Sequence, residues 1–187
     1  MPCTFRAEEA THTGLPITCK LPLGWQFTVN TAIDVTALGV FDSGQDGLVE
    51  SHDVGIWDST CNLLVSATVQ SGTTDPLTDQ FRYVDVSTTL LNPGVYNIGA
   101  VWLDGSDFNT FPGDVNNFAT IPDITFNSPA YIGGGTLADP TNNDVGTLPS
   151  YFGPNFKTPE PSTVLLLGVQ MLLVAMLFRR RHTSHLK

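Results

Sequence analysis

Ile33-Asp34-Val35-Thr36-Ala37-Leu38 alternates apolar and polar residues for one strand's length, and Tyr83-Val84-Asp85-Val86 repeats the pattern fifty residues on. A period of two puts one face of a strand into a core and the other into water, which is how antiparallel sheets meet solvent. Working outward from Ile33, strand-length apolar runs recur at Trp25–Val29, Ile33–Phe41, His52–Trp57, Asn62–Val69, Phe81–Val86, Tyr96–Leu103 and Ile121–Phe126. Turn residues fall between them: Asp42-Ser43-Gly44, Asp58-Ser59-Thr60, Ser71-Gly72, Asn92-Pro93-Gly94 and Asp104-Gly105-Ser106. From Gly24 to Phe126 no stretch keeps a helical period, so crossover helices are not expected and the expected fold is all-β, an antiparallel β-sandwich with long loops, over residues 20–157, plus one C-terminal hydrophobic helix.

Residues 104–157 are richer in Asp, Asn, Gly and Pro, with Gly133-Gly134-Gly135 and Pro140–Asp144 the loosest pieces. Aromatics still recur there, at Phe108, Phe111, Phe118, Tyr131, Tyr151, Phe152 and Phe156, as expected of loops lying over a core. Tyr151–Lys157 is expected to return as a closing strand, and residues 1–19 to be poorly ordered.

The charges divide the chain. Residues 1–161 hold all eighteen acidic side chains and a net charge of −14, while the remainder carries +4, from Arg179, Arg180, Arg181 and Lys187. A domain this acidic repels phosphate backbones, which argues against nucleic acid as a partner. Only 14% of residues are charged, and Thr, Asn, Ser and Gly supply the polar surface, as in extracytoplasmic β-proteins. The three cysteines, Cys3, Cys19 and Cys61, lack the spacing of a thiolate metal site. Two readings stay open: a Cys19–Cys61 disulfide in an oxidising compartment, or free thiols.

At Thr158 the register changes. Pro159-Glu160-Pro161-Ser162-Thr163 leads into Val164–Phe178, fifteen residues with Gln170 as the one polar member, and then into Arg179-Arg180-Arg181. In a helix over residues 163–178 the fifteen-residue apolar run reaches about 22 Å at ~1.5 Å per residue, short of a ~30 Å hydrocarbon core. The arginines act as a cytoplasmic stop. A buried globular helix would neither follow a Pro-x-Pro break nor end in three arginines.

Pro159, Glu160 and Pro161, the apolar helix and the arginine cluster (Arg179, Arg180, Arg181), in that order, resemble the PEP-CTERM sorting signal, here residues 158–187 with a basic tail over 179–187. Each part has a physical role. The prolines hold the strip extended for a protease, Ser162 or Thr163 caps the helix, and the helix parks the chain in the membrane. The resemblance implies an exosortase-type membrane protease as partner. That enzyme removes the tag and passes the protein from the inner membrane to the cell envelope or exopolysaccharide matrix of a Gram-negative bacterium, the C-terminus being cytoplasmic beforehand. Export calls for a leader of basic and then roughly 7–15 apolar residues, which Met1–Thr18 does not contain. A leader ahead of this Met1, a start codon assigned too late, or a cytoplasmic chain would each explain that; the C-terminal signal favours the first two.

The segments Gly24–Val29, Val35–Val40, Ser51–Asp58 and Tyr151–Phe156 resemble an uncharacterised β-sandwich domain frequent in PEP-CTERM proteins. The resemblance implies a fold and no activity. That family usually has glycine in the turn after Trp57-Asp58 where this chain has Cys61, which places Cys61 at an exposed hairpin tip and argues against its pairing.

Other candidate sites have plainer readings. Asp42, Asp46, Glu50 and Asp53 fall at positions one, five, nine and twelve of a calcium loop with Gly47 at six, but position three is Gly44 and no helices flank the loop. It reads better as an acidic turn solvated by water. Trp25, Trp57 and Trp102 form either a sugar-stacking platform or, as strand residues, part of the core, and the core reading is preferred. His52 lacks a serine elbow, a second histidine or a paired acid at motif spacing, so it reads as a structural histidine at a strand start. No catalytic residue, cofactor site or metal site is expected, and the chain is not expected to be an enzyme. The expected role is structural or matrix-associated, with a carbohydrate-binding module of the secreted matrix as the alternative.

Overall fold

The computed structural model describes residues 21–102, 107, 120–143 and 152–159. The expected N-terminal segment 1–19, Cys3, Cys19, Glu160, Pro161, the apolar helix 163–178 and Arg179–Arg181 lie outside the described residues. Ten strands follow one another: β1 (Leu21–Val29), β2 (Ile33–Phe41), β3 (His52–Asp58), β4 (Leu63–Val69), β5 (Leu77–Thr78), β6 (Phe81–Leu91), β7 (Gly94–Trp102), β8 (Ile124–Tyr131), β9 (Asn142–Asn143) and β10 (Pro154–Lys157). They form two antiparallel sheets, ordered β4-β3-β7-β1-β8-β9 and β10-β2-β6-β5. Among the described residues there is no helix, and so none long and apolar enough to cross a membrane.

The core between the sheets is aromatic at one end. Trp25 and Phe27 of β1 meet Phe156 of β10 at ring separations of 6.1 and 5.3 Å, and Phe152 packs on Trp25 at 5.8 Å and on Phe126 at 5.2 Å. Burying side chains of this size stabilises a fold by roughly 1.5–3 kcal/mol each. Trp25 Nε1 donates to Pro154 O at 3.0 Å, so its polar edge is satisfied across the core. The closing strand thus exists, over Pro154–Lys157, paired with β2.

Several boundaries differ from expectation. In β2 the inward set changes parity: Ile33 and Val35 face the core, and then Leu38 and Val40 do. The change coincides with a register shift between Val35 and Ala37, across which β2 advances two residues and β6 four, from Thr89 to Asp85. β1 starts at Leu21, not Trp25, because Pro22 and Gly24 pair along β7 instead of breaking the strand. β8 runs on through Pro129 to Tyr131, past a bulge of its own at Asn127, which has no partner between Gln26 and Phe27 of β1. β6 continues past Val86 to Leu91, carried by its pairing with Ile33–Val35 of β2.

On the outer face of the larger sheet Gly24, Gly99 and Gly55 are direct neighbours across β1, β7 and β3. The side-chain-free row forms a trench. A methyl on Gly55 would sit 2.8 Å from the Trp57 ring, and one on Gly99 would sit 3.0 Å from Pro140 Cγ. Trp57 and Pro140 therefore lie against the sheet there, and the strap leading into β9 meets β7 at Asp139 and Pro140.

Candidate functional site

Where the strap crosses β7, Asn97 is the one amide in Tyr96–Trp102, and it points outward between core positions 96 and 98. Its Nδ2 donates to Asp139 Oδ1 at 2.7 Å, tying strap to sheet. Both residues are 8% exposed. Among the described residues three buried side-chain atoms lack a hydrogen-bond partner: Trp102 Nε1, Asn97 Oδ1 and Asp139 Oδ2. The last two belong to residues bordering a cleft of about 190 Å³, lined also by Gln26, Asp58, Cys61 and Thr141. No lysine, arginine or histidine lines it.

The β3–β4 hairpin forms one wall. Asp58 accepts from Thr60 N and Oγ1 at 2.8 and 2.7 Å, and from Asn62 N and Nδ2, both at 3.0 Å. The Asn62 and Thr60 side chains, with the backbone N–H groups, hold the Asp58 carboxyl well below the usual range, against a small opposing effect of burial. This turn puts Cys61 at φ +63°, the left-handed region in which a side chain is strained and glycine is not. Cys61 is exposed, with a free thiol. A hydrogen bond to Asp139, and then that residue's charge, push the thiol pKa up.

His52 opens β3 and is completely buried. Its Nδ1 donates to Val101 O at 2.8 Å, its Nε2 meets Asp107 Oδ2 at 3.0 Å, and its ring packs on Trp102 at 5.1 Å. Asp107 also accepts from Val49 N and Glu50 N, both at 2.9 Å. Burial alone would raise the Asp107 pKa, but the His52, Val49 and Glu50 hydrogen bonds and the His52 charge outweigh it and hold it below the ordinary value. Ligand atoms of Glu50, His52 and Asp107 lie within 4.8 Å of one another, the donor set of a small metal site. Both nitrogens of His52 and both oxygens of Asp107 are already engaged, His52 with Val101 of β7 and Asp107 with residues 49–52, a structural arrangement like the one expected of this histidine.

The acidic turn is corrected in one respect. Asp46 is exposed, but Asp42 is 1% exposed and paired with buried Arg82, Nε to Oδ2 at 2.7 Å. Arg82 also donates to Asp75 O at 3.0 Å, and Asp42 accepts from Gly47 N at 3.1 Å. Asp53 faces away and takes Thr68 Oγ1 at 2.6 Å, so the loop's carboxylates do not converge. Trp25, Trp57 and Trp102 are all buried, Trp25 and Trp102 between the sheets and Trp57 under the strap. Pro159 is exposed, two residues beyond β10.

Comparison with protein-family models, with curated proteins and with solved structures finds no match. The sequence reading missed Asn97 and Asp139. Their signals are slight: an amide inside the apolar run Tyr96–Trp102, and an Asp-Pro pair in a glycine-rich strap.

Proposed function

We propose that this chain is an exported envelope or matrix protein with a structural role, delivered by a PEP-CTERM signal that an exosortase-type membrane protease removes. The observation that carries this reading is the order Pro159-Glu160-Pro161, apolar run, Arg179-Arg180-Arg181. The position of Pro159 supports it: exposed, and just past the last paired residue, where a protease reaches an extended strip without unfolding the sandwich. The burial of all three tryptophans favours the structural reading over a sugar-stacking platform built on them.

Replacing Pro159, Glu160 and Pro161 by alanine tests the sorting step in the native host. Full-length protein should accumulate in the inner membrane, and deleting the host's exosortase should have the same effect. Mass spectrometry of wild-type protein recovered from the envelope should find the mature C-terminus upstream of Val164. Recovery of Val164–Phe178 in that mature protein refutes the sorting step and leaves a membrane-anchored sandwich.

A further inference from the structure

Four strands stand at sheet edges: β4 and β9 bound the larger sheet, β5 and β10 the smaller. An edge offers unpaired N–H and C=O groups to any other chain, and proteins blunt such edges with short strands, proline, lysine or bulges. Three of the four are blunted. β5 and β9 have two residues each, and β10 has four, with Pro154 and Lys157 among them. β4 is not. It runs for seven residues, Leu63–Val69, without proline, glycine or charge, and Ser59–Thr74 around it is uncharged throughout. Its bulge, at Leu64, lies near its start and leaves Val65–Val69 in regular pairing with β3. Past both ends the backbone is satisfied: Asn62 N donates to Asp58, Gln70 N to Asp75 and Ser71 N to Ser51. Between those points β4 pairs with β3 alone among the described residues, and Leu63, Leu64, Ser66 and Thr68 are exposed.

We infer that β4 is a self-association edge, on which a second copy of this chain lays its own β4 antiparallel about a two-fold axis at Ala67. The larger sheets of the two copies then become one. The strand is chemically palindromic about that residue, as Val65-Ser66-Ala67-Thr68-Val69. The axis sets Val65 against Val69 of the second copy, Ser66 against Thr68, and Ala67 against Ala67. Ser66 and Thr68 are exposed, while Val65 and Ala67 pack against the core and Val69 belongs to it. The hydroxyl pairs therefore meet in water and the apolar pairs meet over the two cores, both favoured as cross-strand neighbours. Charge points to the same occupant. Residues 1–161 carry −14, so two copies repel except along a strip to which neither brings charge, and a charged partner strand finds no counter-charge on β4. A two-fold contact uses the open edge of both copies and leaves only blunted ones, so assembly stops at a dimer. The edge is about 24 Å long at ~3.4 Å per residue, which puts the contact at the small, weak end of specific interfaces.

Sedimentation equilibrium of the full chain in density-matched detergent micelles tests the edge. A monomer–dimer equilibrium is expected, with a Kd on the order of 10⁻⁵ M. Ser66→Lys with Thr68→Lys opposes like charges twice across the axis. It should weaken the dimer at least about fivefold, with an unchanged circular dichroism spectrum. Ser66→Glu with Thr68→Lys turns the same two contacts into ion pairs and should bring the dimer back to within about threefold of the wild type. A chain that stays monomeric at roughly ten times that Kd overturns the edge. Equal dimerisation in the wild type and both variants places the contact on another surface, the apolar run Val164–Phe178 included, and overturns it too. Loss of the dimer in both variants overturns the axis at Ala67, and open-ended oligomers overturn the closed pair.

Discussion

Replacing Arg82 by methionine isolates the one buried ion pair among the described residues that has a permanently charged partner. Met matches the length of the Arg stem and its apolar packing, so what is lost is the guanidinium and its bonds to Asp42 Oδ2, at 2.7 Å, and Asp75 O, at 3.0 Å. Asp42 remains 1% exposed with Gly47 N as its only other hydrogen-bond donor. Breaking a buried pair from one side costs about 3–5 kcal/mol, most of it the uncompensated charge left behind. In a domain of this size that is a fall in Tm of roughly 10 °C, at ~2–4 °C per kcal/mol. The reasoning fixes a sign for the double mutant as well. Asp42→Asn with Arg82→Met leaves no buried charge, so it should be more stable than Arg82→Met alone, with a coupling of about 2 kcal/mol. Urea unfolding followed by far-UV circular dichroism measures all three variants. A loss under ~1 kcal/mol in Arg82→Met, or a double mutant no better than the single one, would mean that water reaches Asp42 and the pair is not buried in solution.

Three further outcomes follow from other parts of the fold. Gly24→Ala puts a methyl 2.7 Å from Gly99 Cα and 2.8 Å from the Ile98 carbonyl carbon, so β1 and β7 must separate; a loss of about 3 kcal/mol is expected in the same unfolding assay. Cys61→Gly relieves a side chain at φ +63° and should stabilise by about 0.5–1 kcal/mol, the left-handed strain removed less the backbone entropy glycine adds; a destabilised variant would show that the thiol–Asp139 contact matters more. Asp107 has a lowered pKa, so its share of stability is complete above about pH 4 and is lost as pH falls through the lower folded value. Urea midpoints should therefore drop more steeply below pH 4 in the wild type than in Asp107→Asn; parallel profiles would refute the linkage.

Strand β2 was legible to the residue because turn signals bracket it and its alternation starts cleanly at Ile33. What alternation could not show is that Leu38 and Val40 replace Ala37 on the inward face, since a bulge is set by the partner strand. Pro22, Gly24 and Pro129 fall outside the expected strands Trp25–Val29 and Ile121–Phe126, yet each sits in a strand where the ladder or a glycine trench tolerates it. Arg82 was more informative than it looked. It and Lys157 are the sole lysine or arginine residues between 21 and 157, and a cation between Phe81 and Tyr83 in a strand must find an anion. The Asn97–Asp139 contact spans 42 residues and depends on a strap crossing a glycine row, which no local pattern encodes.

The place of β10 has a consequence for synthesis. β2 finds its outer neighbour only when Pro154–Lys157 arrive, and Thr36 and Lys157 are 121 residues apart along the chain. At ~5–20 residues per second the growing chain waits on the order of ten seconds with β2 as a bare edge. During that wait Trp25 and Phe27 lack the aromatic partner that Phe156 later supplies. An unpaired edge beside uncovered aromatics is the feature through which nascent β-proteins aggregate. The completed sandwich can thus be robust while its biogenesis stays exposed until the last strand is made, so a holdase acting on the nascent chain would matter more for yield than any stabilising change in the finished core.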